Sequence, residues 1–146
     1  MSKVVSTRLP GETEARLQRL ARRLGKTPSE TGAMLIEESL REIEFAYIEF
    51  RNSPVGRQAY LKNSNLSVWQ VIMLAKQYQS NLEQTATHLE KSIEWIKAAF
   101  NYAEAYPEEI TNAIADDLAT NYTTLKRILP QIELISIPLD VLESDL

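Results

Sequence analysis

The chain has no cysteine, which excludes disulfides and thiolate zinc sites. It has one histidine, His88, and no carboxylate or nucleophile stands at a spacing that would work with it. A lone histidine is more often a surface or core residue than a ligand or base, so no enzyme activity, metal site or cofactor is expected. There is no apolar run of about 18 residues and no signal-like apolar core near Met1, so the expected setting is cytosolic, with no membrane contact. Basic residues are absent after Arg127, where Glu133, Asp140, Glu143 and Asp145 remain. Acids are absent from 51–82, which holds Arg51, Arg57, Lys62 and Lys76. Four scattered cations read as a solvated face.

What is present is ordinary for a globular protein: 146 residues, 44% hydrophobic and 25% charged, enough for one or two small domains. The net charge of −4 is unevenly spread. Residues 1–26 carry seven Lys or Arg against Glu12 and Glu14. A basic head and an acidic tail suggest two different partners. At the head, Val4-Val5-Ser6-Thr7-Arg8-Leu9 has strand character, with Val5, Thr7 and Leu9 on one face and Val4, Ser6 and Arg8 on the other. Pro10 ends the run, helical patterns follow, and no second strand lies near enough for a hairpin. A lone strand leaves its backbone groups without partners, and the simplest partner is the same strand of a second copy.

This strand, followed by two helices to about Phe50, resembles the ribbon-helix-helix DNA-binding family of the Arc, MetJ and CopG repressors. The resemblance implies that Val4, Ser6 and Arg8 read base edges in the major groove, although Val4 is apolar where the family often has a polar reader. The groove is wide enough for a two-stranded ribbon. Arg8 can make paired bonds to guanine, Ser6 can bond several bases, and Val4 can touch a thymine methyl. The family also grips a DNA phosphate at the start of its second helix, which here is Ser29 and nearby amides. Lys3, Arg23 and Lys26 are the companion phosphate candidates. An ordinary sheet strand with a solvated arginine is the competing reading.

The first helix is expected over Glu12–Leu24, with Leu17, Leu20, Ala21 and Leu24 as one stripe and Arg16, Arg19, Arg22 and Arg23 largely off it. Gly25 closes it. Thr27-Pro28-Ser29-Glu30 is a capping box with Pro at the first helical position. Glu30 would oppose an anion there unless the cap occupies it. The second helix repeats apolar residues at Ala33, Ile36, Leu40, Ile43, Tyr47 and Phe50, and its pattern extends it to Phe50 as a spacer. Residues 51–66 read as loop-rich, with a short strand over Ala59-Tyr60-Leu61.

Three short helices are then expected. Ser67 caps one with Val68, Val71, Ile72 and Ala75 inward; Ser80-Asn81-Leu82-Glu83 is a capping box for one with Leu82, Ala86 and Leu89. Ser92 caps one with Ile96, Ala99, Phe100 and Ala103. Their tight turns suit a helix-turn-helix unit. Val55-Gly56-Arg57, Leu66-Ser67-Val68-Trp69, Ser92 to Ala99, and Tyr102 to Ile110 together resemble the small winged-helix-like family catalogued as domain of unknown function 433. That resemblance covers about residues 54–110, and Asn63-Ser64-Asn65 stands where the family usually has Gly-Thr-Arg. It implies VapB-like antitoxins, which sit beside genes for PIN-like nucleases. The third of these helices exposes Glu94, Lys97, Asn101 and Glu104, which is not a basic face, so a packing or partner-docking role is favoured over base reading. Trp69 and Trp95 read as core.

Pro107 opens a further helix with Glu108 and Glu109 in its first turn, lined by Ile110, Ile114, Leu118, Leu125 and Ile128, and stopped by Pro130. The last sixteen residues include eight Ile, Leu or Val and four acids. Pro130 just before them and Pro138 within them forbid one continuous helix. Ile132, Ile135, Ile137, Leu139 and Leu142 are the candidate anchors for a partner, against the alternative that the tail packs on its own dimer.

The expected architecture is mostly α. A ribbon-helix-helix domain at 1–50, with an intermolecular two-stranded β-ribbon plus two helices per chain, precedes a winged-helix or helix-turn-helix-like domain at 51–110. A C-terminal helix with an extended tail fills 111–146. The expected function is that of an antitoxin: a homodimer that binds operator DNA to repress its own operon and neutralises a PIN-like ribonuclease toxin. The alternatives are a repressor without a toxin, or an interaction adaptor that does not bind DNA.

Overall fold

The computed structural model describes residues 2–53 and 56–128, the latter for the backbone alone at 120–122, 125 and 128. The described residues are mostly helical, with one small sheet. The order is α1 (Gly11–Leu24), α2 (Pro28–Glu44), β1 (Ile48–Ser53), β2 (Gly56–Leu61), α3 (Val68–Lys76), α4 (Leu82–Leu89), α5 (Ile93–Ala105) and α6 (Pro107–Ile128). None of these helices is long and apolar enough to cross a membrane.

Helix boundaries follow local chemistry. Gly25, at φ 65°, adopts the left-handed conformation that closes α1. Thr27 and Glu30 form the reciprocal capping box of α2: Glu30 N–H donates to Thr27 Oγ1 and Thr27 N–H donates to Glu30 Oε2, each at 3.1 Å. Ser67 caps α3 through a second capping box with Gln70, and Ser92 caps α5. At α4 the cap is Asn81, whose side chain accepts from Gln84 N–H at 2.9 Å. The expected Ser80–Glu83 box is therefore corrected to a single side-chain cap one residue later. Ser80 sits at φ 60° in the preceding turn, and Asn is at least as good a cap as Ser.

The expectation that α2 runs to Phe50 is corrected. It ends at Glu44, Phe45 is already extended at φ −114° and ψ 122°, and Tyr47 turns the chain at φ 62°. The stretch that looked loop-rich is largely an antiparallel hairpin pairing Ile48 with Leu61, Phe50 with Ala59 and Ser53 with Gly56. Its residues alternate with period two from Ile48, and the buried reward is large: Ile48 and Leu61 are both fully enclosed. The short strand at 59–61 is the end of β2.

The core gathers around this hairpin. Ile48 and Leu61 meet Val68, Val71, Trp95, Ile96, Ala99, Tyr102 and Ile110, with Phe45 and Phe50 packed against them. Trp69 and Trp95 are core, as expected, and each ring N–H finds a partner, Gln58 Oε1 at 3.1 Å and Lys62 O at 3.3 Å. On α6, Ile110 is buried and Ile114 partly so, but Leu118 is 61% exposed. Its place in the lining is thus corrected, because by that turn α6 has run past the body it packs on. α6 continues without a break across residue 110.

The first two helices contribute little to this core. α1 buries only Ala21, and α2 buries Thr31 and Glu38. The far half of α2 is held by polar clamps instead. Arg57 makes a paired contact with Glu38 at 2.9 and 2.8 Å, and Glu42 accepts from Phe50 N–H at 3.0 Å. Arg41 donates to Glu37, to Tyr102 Oη at 2.8 Å and to Glu109 at 3.0 Å, and its guanidinium lies 3.7 Å from the centre of the Tyr106 ring. Burial alone would lower the Arg41 pKa, but its bonds to Glu37, Tyr102 and Glu109 raise it overall. Tyr102 is displaced upward, first by burial and then by its bond to the Glu109 carboxylate. The Glu38 contact likewise raises Arg57.

Two consequences are measurable. Arg41→Ala leaves Glu109 and the Tyr102 hydroxyl without their shared donor, and urea denaturation should show a loss of about 2 kcal/mol. The raised Tyr102 pKa means the unfolded chain releases that proton first. Its stabilising contribution is complete below the ordinary tyrosine pKa of about 10 and is lost as pH rises through the folded value. The fall in stability above about pH 10 should be shallower in Tyr102→Phe than in the natural chain.

Candidate nucleic-acid interface

Residues 2–10 lead into α1 without a sheet partner among the described residues. Val4 is 94% and Val5 87% exposed, so both faces of the segment meet solvent in the single chain. The segment runs along α1 and α2 and closes one side of a cleft of about 1270 Å³. Lys3, Val4, Val5, Ser6, Thr7 and Leu9 line it from the segment, Arg16, Leu17, Arg19, Leu20 and Arg23 from α1, and Pro28, Ser29, Gly32, Ala33 and Ile36 from α2.

This geometry brings together most of the residues expected to meet DNA. Val4 and Ser6 lie beside Lys3, Arg23 and Ser29, three of the four phosphate candidates. Arg8 is exposed but does not line the cleft. Lys26 stands apart on the α1–α2 loop, with its ammonium 3.7 Å from Met34 Sδ. Ser29 occupies the first turn of α2, where N–H groups without intrahelical partners and the helix dipole favour an anion. The charge that would oppose an anion there, Glu30, is engaged with Thr27 N–H.

Arg16 and Arg19 enter the cleft as well, although nothing in the sequence gave them a role beyond lying off the leucine stripe. The available signal was their spacing with Arg23, which at i, i+3 and i+7 sets all three on one side of the helix. Beside them runs an apolar ridge on α2: Ile36 is 59%, Leu40 47% and Ile43 82% exposed, continued by Tyr47 after the helix ends. The expected stripe holds on α2 as far as Ile43, where it is largely exposed, and ends with the helix at Glu44.

Elsewhere the chemistry is sparse. The α5 residues Glu94, Lys97, Asn101 and Glu104 are all exposed and carry no net positive charge. His88 is exposed, with Nδ1 2.5 Å from Tyr78 Oη. Among the described residues no group of three or more His, Cys, Asp or Glu could hold a metal. The anchors Ile132, Ile135, Ile137, Leu139 and Leu142 lie outside the described residues.

A scan of protein-family models, a search of curated proteins and a search of solved structures each find no match to this chain.

The expected base and phosphate contacts separate by experiment. Arg8→Ala should lower affinity for a specific site by about 1–3 kcal/mol and relax base preference at one position. Arg23→Ala should weaken all duplexes alike and flatten the salt slope by about one unit. Equal losses for Arg8→Ala on specific and random duplexes in a gel shift would make Arg8 a backbone contact instead.

Proposed function

We propose that this chain is the antitoxin of a toxin–antitoxin pair, a cytosolic homodimer that binds operator DNA through its N-terminal segment and neutralises a PIN-like ribonuclease with its C-terminal part. The observation that carries the DNA-binding half is the exposed Val4–Leu9 segment. It has no ladder partner among the described residues, and it lines one cleft together with Ile36 of α2 and Arg16, Arg19 and Arg23 of α1.

Elementary energetics favour a second copy over solvent. The backbone groups of six strand-like residues can pair across a two-fold axis. Ile36, Leu40 and Ile43 recur at i, i+4 and i+7, the spacing of a helix–helix seam. Completing their burial contributes about 1–1.5 kcal/mol per residue, or roughly 6–9 kcal/mol for six residues in a dimer. Association costs about 4–15 kcal/mol, so the ridge alone only balances that cost. The ribbon ladder, with Val5 and Leu9 beneath it, is needed for a stable pair. Val4, Ser6 and Arg8 are then left facing outward on a ribbon that fits the major groove.

The toxin-neutralising half rests on the resemblance over residues 54–110 and on the composition of the last sixteen residues. An acidic, apolar strip complements the basic surface with which a ribonuclease grips its substrate.

Thr7→Pro removes a ladder donor and should eliminate the dimer in sedimentation at low micromolar concentration. A natural chain that sediments as a well-folded monomer would contradict the proposal. Truncation after Leu129 should abolish co-purification with the product of the neighbouring nuclease gene while keeping operator binding. A truncated chain that no longer dimerises would make the tail a structural brace.

A further inference from the structure

We infer that Arg16, Arg19 and Arg23 of α1 form a contact row for the phosphate backbone of duplex DNA, alongside the outward-facing strand residues. The inference deepens the DNA-binding reading and rests on it. The three residues lie on one side of α1 and line the same cleft as Lys3 and Ser29. Each is exposed, and none makes an ion pair with a described residue.

A structural role runs against this arrangement. Like charges at i, i+3 and i+4 destabilise a helix by about 0.2–0.5 kcal/mol per pair, and leucine burial on the adjacent stripe needs no charge beside it. No described carboxylate makes an ion pair with the row; Glu37 lines the same cleft but pairs with Arg41. Arginine, rather than lysine, fills all three positions, and its planar fork grips phosphate oxygens in pairs. Seven residues of helix span about 10 Å. With phosphates rising about 3.4 Å apiece along one strand, the row can follow roughly three consecutive groups.

α1 carries its own control. Arg22 is also exposed and carries the same charge but does not line the cleft. Gln is close to Arg in helix propensity, so Arg→Gln substitutions leave the helix intact, which unchanged thermal melting would verify. Binding is read by fluorescence anisotropy of a random 40-base-pair duplex and of a duplex from upstream of the gene, from 50 to 300 mM NaCl. Arg16→Gln/Arg19→Gln should weaken both duplexes about 10- to 100-fold and shrink the salt slope by about 0.9 for each lost contact. Arg22→Gln should change affinity less than about threefold. Equal effects of Arg19→Gln and Arg22→Gln would overturn the row and reduce it to general net charge. An undiminished double variant, with the natural chain still binding DNA, would overturn the row alone. Failure of the natural chain to bind either duplex would overturn the DNA-binding reading together with the row. If the double variant keeps its DNA affinity but loses affinity for a synthetic peptide of residues 131–146, the row docks the acidic tail and the inference fails.

Discussion

The structure depends on how α2 is shared. One side of this helix is fixed to the hairpin and the helices beyond it by the Glu38–Arg57 pair, the Glu42–Phe50 backbone contact, and Arg41 wedged between Tyr102, Tyr106 and Glu109. The other side presents Ile36, Leu40 and Ile43 to solvent. A 3.6-residue period places these two sets on opposite faces. Whatever covers the apolar face is thereby held in a defined relation to the body carrying the core. In the dimer reading this joins DNA contact at one end to partner capture at the other through a single rigid helix.

The choice of polar clamps on one face and apolar residues on the other has a physical logic. Arg41 is largely enclosed and satisfied by three acceptors and an aromatic face. Such a cluster fixes geometry, because its donors and acceptors fit in one arrangement only. The apolar ridge is less directional and suits a face completed by a second chain. The N-terminal helices bury little by themselves, Ala21 on α1 and Thr31 and Glu38 on α2.

Much of this was legible in the residues. Gly25, the Thr27–Glu30 box, Ser67 and Ser92 marked helix ends because caps act within one turn, and the two tryptophans were recognisably core. The failures came where tertiary packing overruled local pattern. Tyr47 and Phe50 continue the α2 stripe at helical spacing, yet the chain turns at Tyr47 so that Ile48 can enter the core with Leu61. Asn52 and Gly56 suggested a loop where both are paired strand residues of the hairpin. Leu118 fits the period of α6, but it is largely exposed. At the candidate interface, the Val4–Leu9 alternation, Arg23 and Ser29 were visible as motifs, although the single chain forms no strand at Val4–Leu9. Arg16 and Arg19 became meaningful only when the cleft set them beside Lys3. The Arg41 cluster joins positions 61 and 68 residues apart, which no local pattern encodes.

The central claim is that Val4–Leu9 pairs with the same segment of a second copy. Amide hydrogen exchange followed residue by residue, at several protein concentrations, tests it most directly. The account predicts slow exchange at alternate positions of the segment well above the dimer midpoint, and exchange at unprotected rates on dilution below it. Exchange at unprotected rates at every concentration, with the Ile48–Leu61 hairpin still protected, would contradict it.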